Sequence, residues 1–284
     1  MARNKNKMAP PKLYKRILLF YIPIILIVGF ILFPMAWTFL SSIKPTQEMF
    51  TKKVIYFPKD PTLENYIMLL TKTDFVKSTM NSLEVAALTV LISLVVSSMA
   101  GYAFSRYRFR GSNIYFSSIL LVYMFPTVLY LIPLYETFRR LHLLGHVYSL
   151  VIAYTTFTIP FAIWLMTNFI NGLPYEVEEA AKIDGANVYQ CFTKIILPLL
   201  RPGMVAAGTY IFINSWNEYI FSIMFTSSSN TTLPVMLADC ISEYNIRWDL
   251  LTAGGVLALI PALILFMFFQ KHLVAGLTGG AVKG

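Results

Sequence analysis

The chain has 284 residues, of which 57% are hydrophobic and only 13% are charged, and its mean hydropathy is +0.63. Soluble domains average about 45–50% apolar and about 25% charged residues, so this composition excludes an ordinary soluble enzyme and a disordered chain. The net charge of +9 does not indicate nucleic-acid binding, because the basic residues lie between long apolar runs. Two cysteines are too few for a disulfide framework.

Six apolar runs are long enough, or nearly so, to cross a bilayer as helices, which takes about 20 residues each. They contain none of the 23 Lys and Arg residues and only two acids, Glu84 and Glu218. The sequence therefore predicts an all-α integral membrane protein with six transmembrane helices. The predicted spans are 17–40, 83–104, 114–135, 147–170, 202–225 and 252–269.

The distribution of Lys and Arg orients these spans, because cytoplasmic loops carry an excess of positive charge. The two tails and the loops 105–113 and 171–201 carry more Lys and Arg than the loops on the opposite side. Both termini are therefore expected in the cytoplasm. The first apolar run is too long for the core of a signal peptide and is expected to be retained. The expected segments are a cytoplasmic tail (1–16), a first helix (17–40), an external loop (41–82), a five-helix core (83–270) that includes loop 171–201, and a cytoplasmic tail (271–284).

The loop 171–201 predicts two short helices separated by a break. Pro174 suits a first helical turn, and the glutamates that follow place negative charge at the positive end of the helix dipole. Gly185 ends this helix, because glycine takes the left-handed terminating conformation at little cost. Asn187 caps a second helix, which Pro198 stops before the fifth span.

The same loop carries a motif of fixed spacing. Glu179-Ala180-Ala181 is followed after three residues by Gly185, after nine more by Ile195, and then by Leu197-Pro198. This pattern resembles the signature loop of membrane subunits in binding-protein-dependent ABC importers. Further segments resemble the G-type permease subunit of maltose and multiple-sugar importers, from the second span to the last residue. These segments are Asn81-Ser82, Tyr102-Ala103-Phe104 with Arg106 and Arg108, Ile132-Pro133-Leu134-Tyr135, Pro160-Phe161-Ala162-Ile163-Trp164, Trp216-Asn217-Glu218 and Gly280-Ala281-Val282-Lys283-Gly284.

The resemblance implies a type I ABC importer fold in a bacterial or archaeal cytoplasmic membrane. It also implies four kinds of partner: a homologous F-type permease subunit, two ATPase subunits, an extracytoplasmic sugar-binding protein and a sugar substrate. ATP and Mg are then held by the ATPase subunits, and this chain binds no cofactor. The sequence agrees, since it contains no phosphate-binding loop motif.

In such an importer, the helix around Glu179–Gly185 is the coupling helix that seats in a groove of the ATPase. Closing of the ATPase dimer on ATP pushes this helix and reorients the spans. The residues expected to couple the chain to the ATPase are Glu179, Ala180, Ala181, Asp184, Gly185, Ile195, Leu197 and Pro198.

The fifth predicted span carries polar side chains within an apolar run. Tyr210, Asn214, Asn217 and Phe221 recur at spacings of four, three and four residues and so share one helix face, with Glu218 beside it. An ionisable residue inside a span usually faces the bundle interior or a watery cavity. Two interpretations stay open, direct contact with sugar or a hydrogen bond to a neighbouring helix that fixes the assembly or gates it. The candidate translocation-path and gating residues are Tyr210, Asn214, Trp216, Asn217, Glu218 and Phe221.

Two other classes of function fit the sequence less well. A secondary transporter needs more intramembrane ionisable groups and often shows two similar halves. A membrane-embedded enzyme needs a clustered nucleophile, base or metal near the bilayer, and none is evident. His142 and His146 stand four residues apart, a spacing that can bind metal on a helix, but no third ligand is evident and Gly145 weakens the helix. No metal site is therefore expected.

Overall fold

The computed structural model describes residues 17–242 and 245–279, so the predicted tail 1–16 and the last five residues of the predicted tail 271–284 lie outside it. Regular structure in the described residues is helical, apart from one antiparallel bridge between Ile241 and Ile246. The helices are α1 (Ile22–Ser42), α2 (Thr46–Met49), α3 (Glu64–Lys72), α4 (Phe75–Arg106), α5 (Ser112–Met124), α6 (Leu131–Arg140), α7 (Val147–Asn171), α8 (Glu176–Ile183), α9 (Val188–Leu199), α10 (Arg201–Trp216), α11 (Ile220–Phe225), α12 (Leu233–Ala238) and α13 (Trp248–Gly279).

Four helices in the described part of the chain are long and apolar enough to cross a membrane: Leu18–Ser42, α4, α7 and Trp248–Gln270. Two bent pairs of helices are also long and apolar enough when each pair is taken together: α5 meets Thr127–Arg140 at 96°, and α9 meets α10 at 72°. The all-helical membrane fold is confirmed, with four spans or up to six when each bent pair counts as one. The runs 114–135 and 202–225, however, are not continuous helices.

The break after α5 follows from Pro126. A residue that precedes proline is pushed out of the helical region by contact with the proline ring, and Phe125 is indeed extended, with ψ 136°. A single 3-10 turn, Thr127–Tyr130, then leads into α6. The Val122 carbonyl at the end of α5 accepts the N–H of Phe125 at 3.2 Å and, from across the break, the Tyr130 hydroxyl at 2.9 Å.

The first of two compact units is built around the end of α1 and the start of α3. Asn65 is buried there and donates from Nδ2 to the carbonyls of Ser42 at 2.8 Å and Lys44 at 2.9 Å. Lys44 is also buried, and its ammonium group donates to the carbonyl of Ile55. These hydrogen bonds fix the chain that follows α1. Of the described residues, this unit comprises 17–69 and 247–256, and the second comprises 70–242, 245–246 and 257–279.

The second unit is organised by α4 and α7, which pack against each other along much of their length, with α10 against both. Small residues recur every four positions on α4, a spacing that predicts close approach of helix backbones. All four, Thr89, Ser93, Ser97 and Gly101, are buried. A Cβ atom added to Gly101 would lie 2.8 Å from the Cβ atom of Met166 on α7, closer than real Cβ contacts come. The packing prediction is therefore confirmed on this helix.

The helix α4 begins well before its predicted start at residue 83. Its first two turns, together with α2 and α3, occupy about half of the segment 41–82 that the sequence predicts as an external loop. Hydropathy did not predict this extension of the helix, because the polar residues of its first two turns interrupt the apolar run but not the helix.

Candidate functional site

The loop after α7 folds into two helices with a break, as its local chemistry predicts. The first, α8, ends in a Schellman motif: Gly185 donates its N–H to the Lys182 carbonyl at 3.0 Å, and Ala186 donates to the Ala181 carbonyl at 2.9 Å. Gly185 has φ +84°, a conformation that side-chain-bearing residues adopt only with strain. The position of the break is therefore set by one glycine.

Asn187 caps the second helix, α9, with a reciprocal pair of hydrogen bonds. Its side-chain oxygen accepts the N–H of Gln190, and the Gln190 side chain accepts the N–H of Asn187, both at 2.9 Å. The sequence predicted the cap from Asn187 alone. The hydrogen bond that the Gln190 side chain adds makes the pair a capping box. The two caps hold α8 and α9 on either side of a short, fixed turn.

The prediction that Pro198 stops the second helix is wrong. A π-helical segment, Cys191–Ile196, continues α9, and Pro198 sits in the first positions of the final α-helical turn, which ends at Leu199. Because the residues before Pro198 are already helical, the N–H that it lacks costs this helix one hydrogen bond, and the helix ends one residue later. The chain bends instead at Leu200, whose side chain is buried.

The expected ATPase-coupling residues differ in exposure. Ile183, at the end of α8, is 86% exposed, so this helix presents an apolar side chain among polar ones. Lys182 lies on the same helix, and its hydrogen bond to the Tyr175 hydroxyl raises the pKa of the ammonium group. Among the expected residues, Glu179, Ala180, Asp184, Gly185 and Pro198 are exposed, Ile195 and Leu197 are half-buried, and Ala181 is buried.

Glu178, one residue before the motif, is the residue of this loop that sequence reasoning missed. It is only 1% exposed. The sequence did not indicate this burial, because the helix dipole alone explains a glutamate in a first helical turn, where its side chain can be fully exposed. Its Oε2 accepts a hydrogen bond from the Tyr102 hydroxyl at 3.0 Å, and its Oε1 forms an ion pair with Nε of Arg106. Arg106 also donates from Nη2 to the carbonyl of Leu173 at 3.1 Å. Both Tyr102 and Arg106 lie in a segment that carries the family resemblance. That resemblance was the only sequence signal that these two residues have a role.

A cavity of about 150 Å³ in the second unit contains part of the predicted translocation-path set. Tyr210, Asn214, Glu218 and Phe221 line it, whereas Trp216 and Asn217 do not. Trp216 is buried and stacks on Phe212 instead. The predicted shared face is lost after Trp216 because α10 ends there and α11 begins at Ile220. The other lining residues, which the sequence did not indicate, are Val122, Tyr123, Phe125, Thr127, Tyr130, Thr156, Phe157 and Pro160.

The carboxylate of Glu218 accounts for the break between α10 and α11. It accepts the backbone N–H groups of Phe221 at 2.9 Å and Ser222 at 3.1 Å, and so caps the first turn of α11. The Tyr154 hydroxyl donates to the same carboxylate at 2.7 Å. An ionised carboxylate accepts about four hydrogen bonds, so Glu218 retains room for about one more while it lines the cavity. Glu218 therefore makes the hydrogen bond to a neighbouring helix that one interpretation requires. Direct contact of Glu218 with sugar stays a prediction.

Tyr210 and Asn214 form the adjoining wall of the cavity. The Tyr210 hydroxyl lies 3.1 Å from that of Tyr123, and the centroid of its ring lies 4.1 Å from that of Phe161. Asn214 donates from Nδ2 to the Tyr210 carbonyl at 2.8 Å, an i−4 bond that occupies one of its two N–H groups. Aromatic rings with a few fixed polar groups are the usual lining of a small-molecule site.

The histidine pair provides no metal site. His142 has φ +55° and lies in the turn between α6 and α7, so the two histidines do not share a helix. Across the described ranges, no group of three or more His, Cys, Asp and Glu side chains comes close enough together to hold a metal ion.

The apolar helices, the capped two-helix loop and the small polar cavity together define a multi-pass membrane transport protein. The family model for the inner membrane component of binding-protein-dependent transport systems matches residues 93–279, and the chain belongs to this family. It is thus a multi-pass inner-membrane permease component of an ABC transport system and not a catalytic subunit. The alternatives of a secondary transporter and a membrane-embedded enzyme are wrong, and the resemblance seen in the loop motif is confirmed.

Individual relatives extend this similarity over nearly the whole chain. The trehalose transport system permease protein SugB of Mycobacterium tuberculosis is 35% identical over 262 residues, covering 91% of this chain and 95% of that protein. The arabinooligosaccharides transport system permease protein AraQ of Halalkalibacterium halodurans is also 35% identical, over 89% of this chain and 91% of its own. A crystal structure of a bacterial ABC transporter involved in alginate import contains a chain that matches in fold, with a TM-score of 0.80 at 24% identity over 93% of this chain and 99% of that chain.

Proposed function

We propose that this chain forms one half of the translocation pathway of an ATP-driven oligosaccharide importer. A homologous F-type permease subunit forms the other half, two ATPase subunits bind α8 from the cytoplasm, and an extracytoplasmic binding protein delivers the sugar. Both termini then lie in the cytoplasm, on the same side as α8. Family membership and the names of the two relatives, which transport trehalose and arabinooligosaccharides, support a carbohydrate substrate.

One observation above all supports ATPase coupling: α8 is fixed at its C-terminus by a Schellman motif and yet leaves Glu179, Ala180 and Ile183 exposed. A short helix with a rigid base and a small, partly apolar outer face fits a groove on a partner. Ala180 permits close approach, and Glu179 offers a charge that can pair with a basic residue of the ATPase. On this account, closure of the ATPase dimer displaces α8 as a rigid body.

The cavity supports a shared sugar pathway. Its volume of about 150 Å³ is small beside the roughly 300–1,000 Å³ of typical ligand pockets, so an oligosaccharide does not fit in this chain alone. We infer that Tyr210, Asn214 and Glu218 supply one wall and that the F-type subunit supplies the other. Glu218 then accepts a sugar hydroxyl in addition to capping α11, while Trp216 and Asn217 act in helix packing and gating.

Affinity purification of the tagged chain from its native membrane, followed by mass spectrometry, tests the coupling proposal. We expect an ATPase and a second permease to co-purify with the wild-type chain. Glu179→Arg places a positive charge on the exposed face of α8 and should lower ATPase recovery by about tenfold, because a mismatched charge at an interface costs a few kcal/mol. Recovery of the second permease should not change.

Glu64→Arg is the matched control, since Glu64 is also an exposed glutamate in the first turn of a short helix, α3. It should retain both partners. Equal ATPase recovery with Glu179→Arg and Glu64→Arg would remove Glu179 from the interface. A wild-type chain that purifies without any ATPase would contradict the proposed function itself.

A further inference from the structure

The network around Glu178 is the one ion pair of the described chain that is buried on both sides. The exposed fractions of the Arg106 and Glu178 side chains are 9% and 1%, whereas each of the other two ion pairs has a partner at least 41% exposed. Ion pairs at the surface contribute little because water screens them. A buried pair differs, because removal of one partner leaves an uncompensated charge away from water. The two sides of this contact therefore cannot separate freely.

This network joins α8 to the two helices that organise the second unit. Arg106 is the last residue of α4, and Tyr102 lies one turn before it. The carbonyl of Leu173, which Arg106 also contacts, belongs to the segment between α7 and α8. The carboxylate of Glu178 thus holds the first turn of α8 against the end of α4 and the chain that follows α7.

Apolar packing supports the same connection. Tyr102 packs with Ile170 of α7, Ile196 of α9 and Leu200 at the bend before α10, and all four side chains are buried. The Tyr102 ring also lies 5.2 Å from the ring of Phe192, between centroids. The hydroxyl that binds Glu178 therefore comes from a side chain clamped among α4, α7 and α9, and a displacement of α8 reaches all three.

We propose that Glu178 is the residue through which α8 moves the membrane helices, with Arg106 and Tyr102 as its positioning partners. The adjacent glutamates then divide the coupling: Glu179 faces outward to the ATPase, and Glu178 faces inward to α4 and α7. This inference rests on the proposed function, in that α8 must dock on an ATPase. The inference assigns the transmission of movement from α8 to the membrane helices to Glu178, Arg106 and Tyr102, which lie outside the motif that begins at Glu179.

The test is the number of sugar molecules transported per ATP hydrolysed by the purified complex in proteoliposomes. Glu178→Gln keeps the size of the side chain but removes its charge, and the complex should assemble and hydrolyse ATP while the sugar-to-ATP ratio falls by about tenfold, since Arg106 loses its counter-charge. Glu176→Gln is the matched control in the same turn of α8, because Glu176 is exposed and is not among the expected coupling residues. It should assemble and keep the wild-type sugar-to-ATP ratio.

Two further variants keep the test decisive if Glu178→Gln fails to assemble. Tyr102→Phe removes only the hydroxyl that binds Glu178 and should lower the ratio severalfold. The exchange Arg106→Glu with Glu178→Arg should recover part of the ratio that either single change loses, a coupling that independent structural damage does not produce.

A wild-type ratio in an assembled Glu178→Gln or Tyr102→Phe complex would overturn the inference. Equal losses of the ratio in the Glu178→Gln and Glu176→Gln complexes would overturn it as well. Both results require that an ATPase is present and active, so they leave the proposed function standing. Absence of an ATPase from the wild-type preparation is the separate result that contradicts the proposed function.

Discussion

Glu218→Ala is expected to lower ATP-driven sugar uptake by tenfold or more while the complex stays assembled. The substitution leaves the Tyr154 hydroxyl and the N–H groups of Phe221 and Ser222 without their common acceptor. Each unsatisfied donor in a buried site costs about 1–3 kcal/mol, and about 1.4 kcal/mol is a factor of ten in an equilibrium. The start of α11 therefore loses its defined position beside the cavity. Uptake by proteoliposomes, with subunit recovery measured in parallel, checks this result.

Glu84→Ala is the matched control, because Glu84 is the other acid within a predicted span and its side chain is exposed. It should transport like the wild type. Normal uptake in the Glu218→Ala complex would contradict both the gating and the sugar-contact roles of this residue.

Kinetics separate these two roles of Glu218. Tyr154→Phe removes one of the three donors to the carboxylate, and it should lower the maximal rate at unchanged half-saturation if Glu218 acts by holding α11. Asn214→Ala removes a cavity wall residue that takes no part in this cap, and it should raise the sugar concentration for half-maximal uptake if the wall binds sugar. An unchanged value in Asn214→Ala would leave Glu218 with the capping role alone.

Gly185→Pro is expected to abolish ATPase binding. Proline fixes φ near −65°, whereas Gly185 has φ +84°, and proline also removes the N–H that donates to the Lys182 carbonyl. The Schellman end of α8 then cannot form, and the exposed face of the helix is misplaced. Co-purification should show loss of the ATPase with the second permease retained.

Gly185→Asn provides the control for this variant, because asparagine tolerates the left-handed conformation better than other side chains. It should recover most of the ATPase that Gly185→Pro loses. If the Gly185→Pro chain binds the ATPase as well as the wild type does, the geometry of this turn has no part in coupling.

Local chemistry predicted the coupling loop well, because its main features are set within a few residues. Gly185 and Asn187 each act through hydrogen bonds to neighbours no more than four positions away, so their types alone indicate a helix end and a helix start. The same reasoning failed at Pro198. A proline near the end of this helix instead follows a π-helical segment, and the residue types of that segment do not indicate a π-helix.

Features that depend on distant residues were not predictable in this way. Glu178 and Arg106 are 72 positions apart, and a glutamate near a helix N-terminus is equally consistent with an exposed side chain. Hydropathy likewise cannot distinguish a straight span from a bent pair of helices. The sequence therefore predicted only the part of the cavity wall that lies on one face of the fifth span. Its other walls come from the break after α5 and from α7, which only the tertiary fold brings together.

ATP-driven sugar uptake by the reconstituted complex tests the central claim most directly. Proteoliposomes would contain this chain with its co-purified permease and ATPase, and the binding protein would be added with a sugar that raises its melting temperature. The account predicts that sugar accumulates only when ATP, the binding protein and all subunits are present, and that vesicles with this chain alone take up none. Sugar uptake by the chain alone, or uptake driven by an ion gradient without ATP, would contradict it.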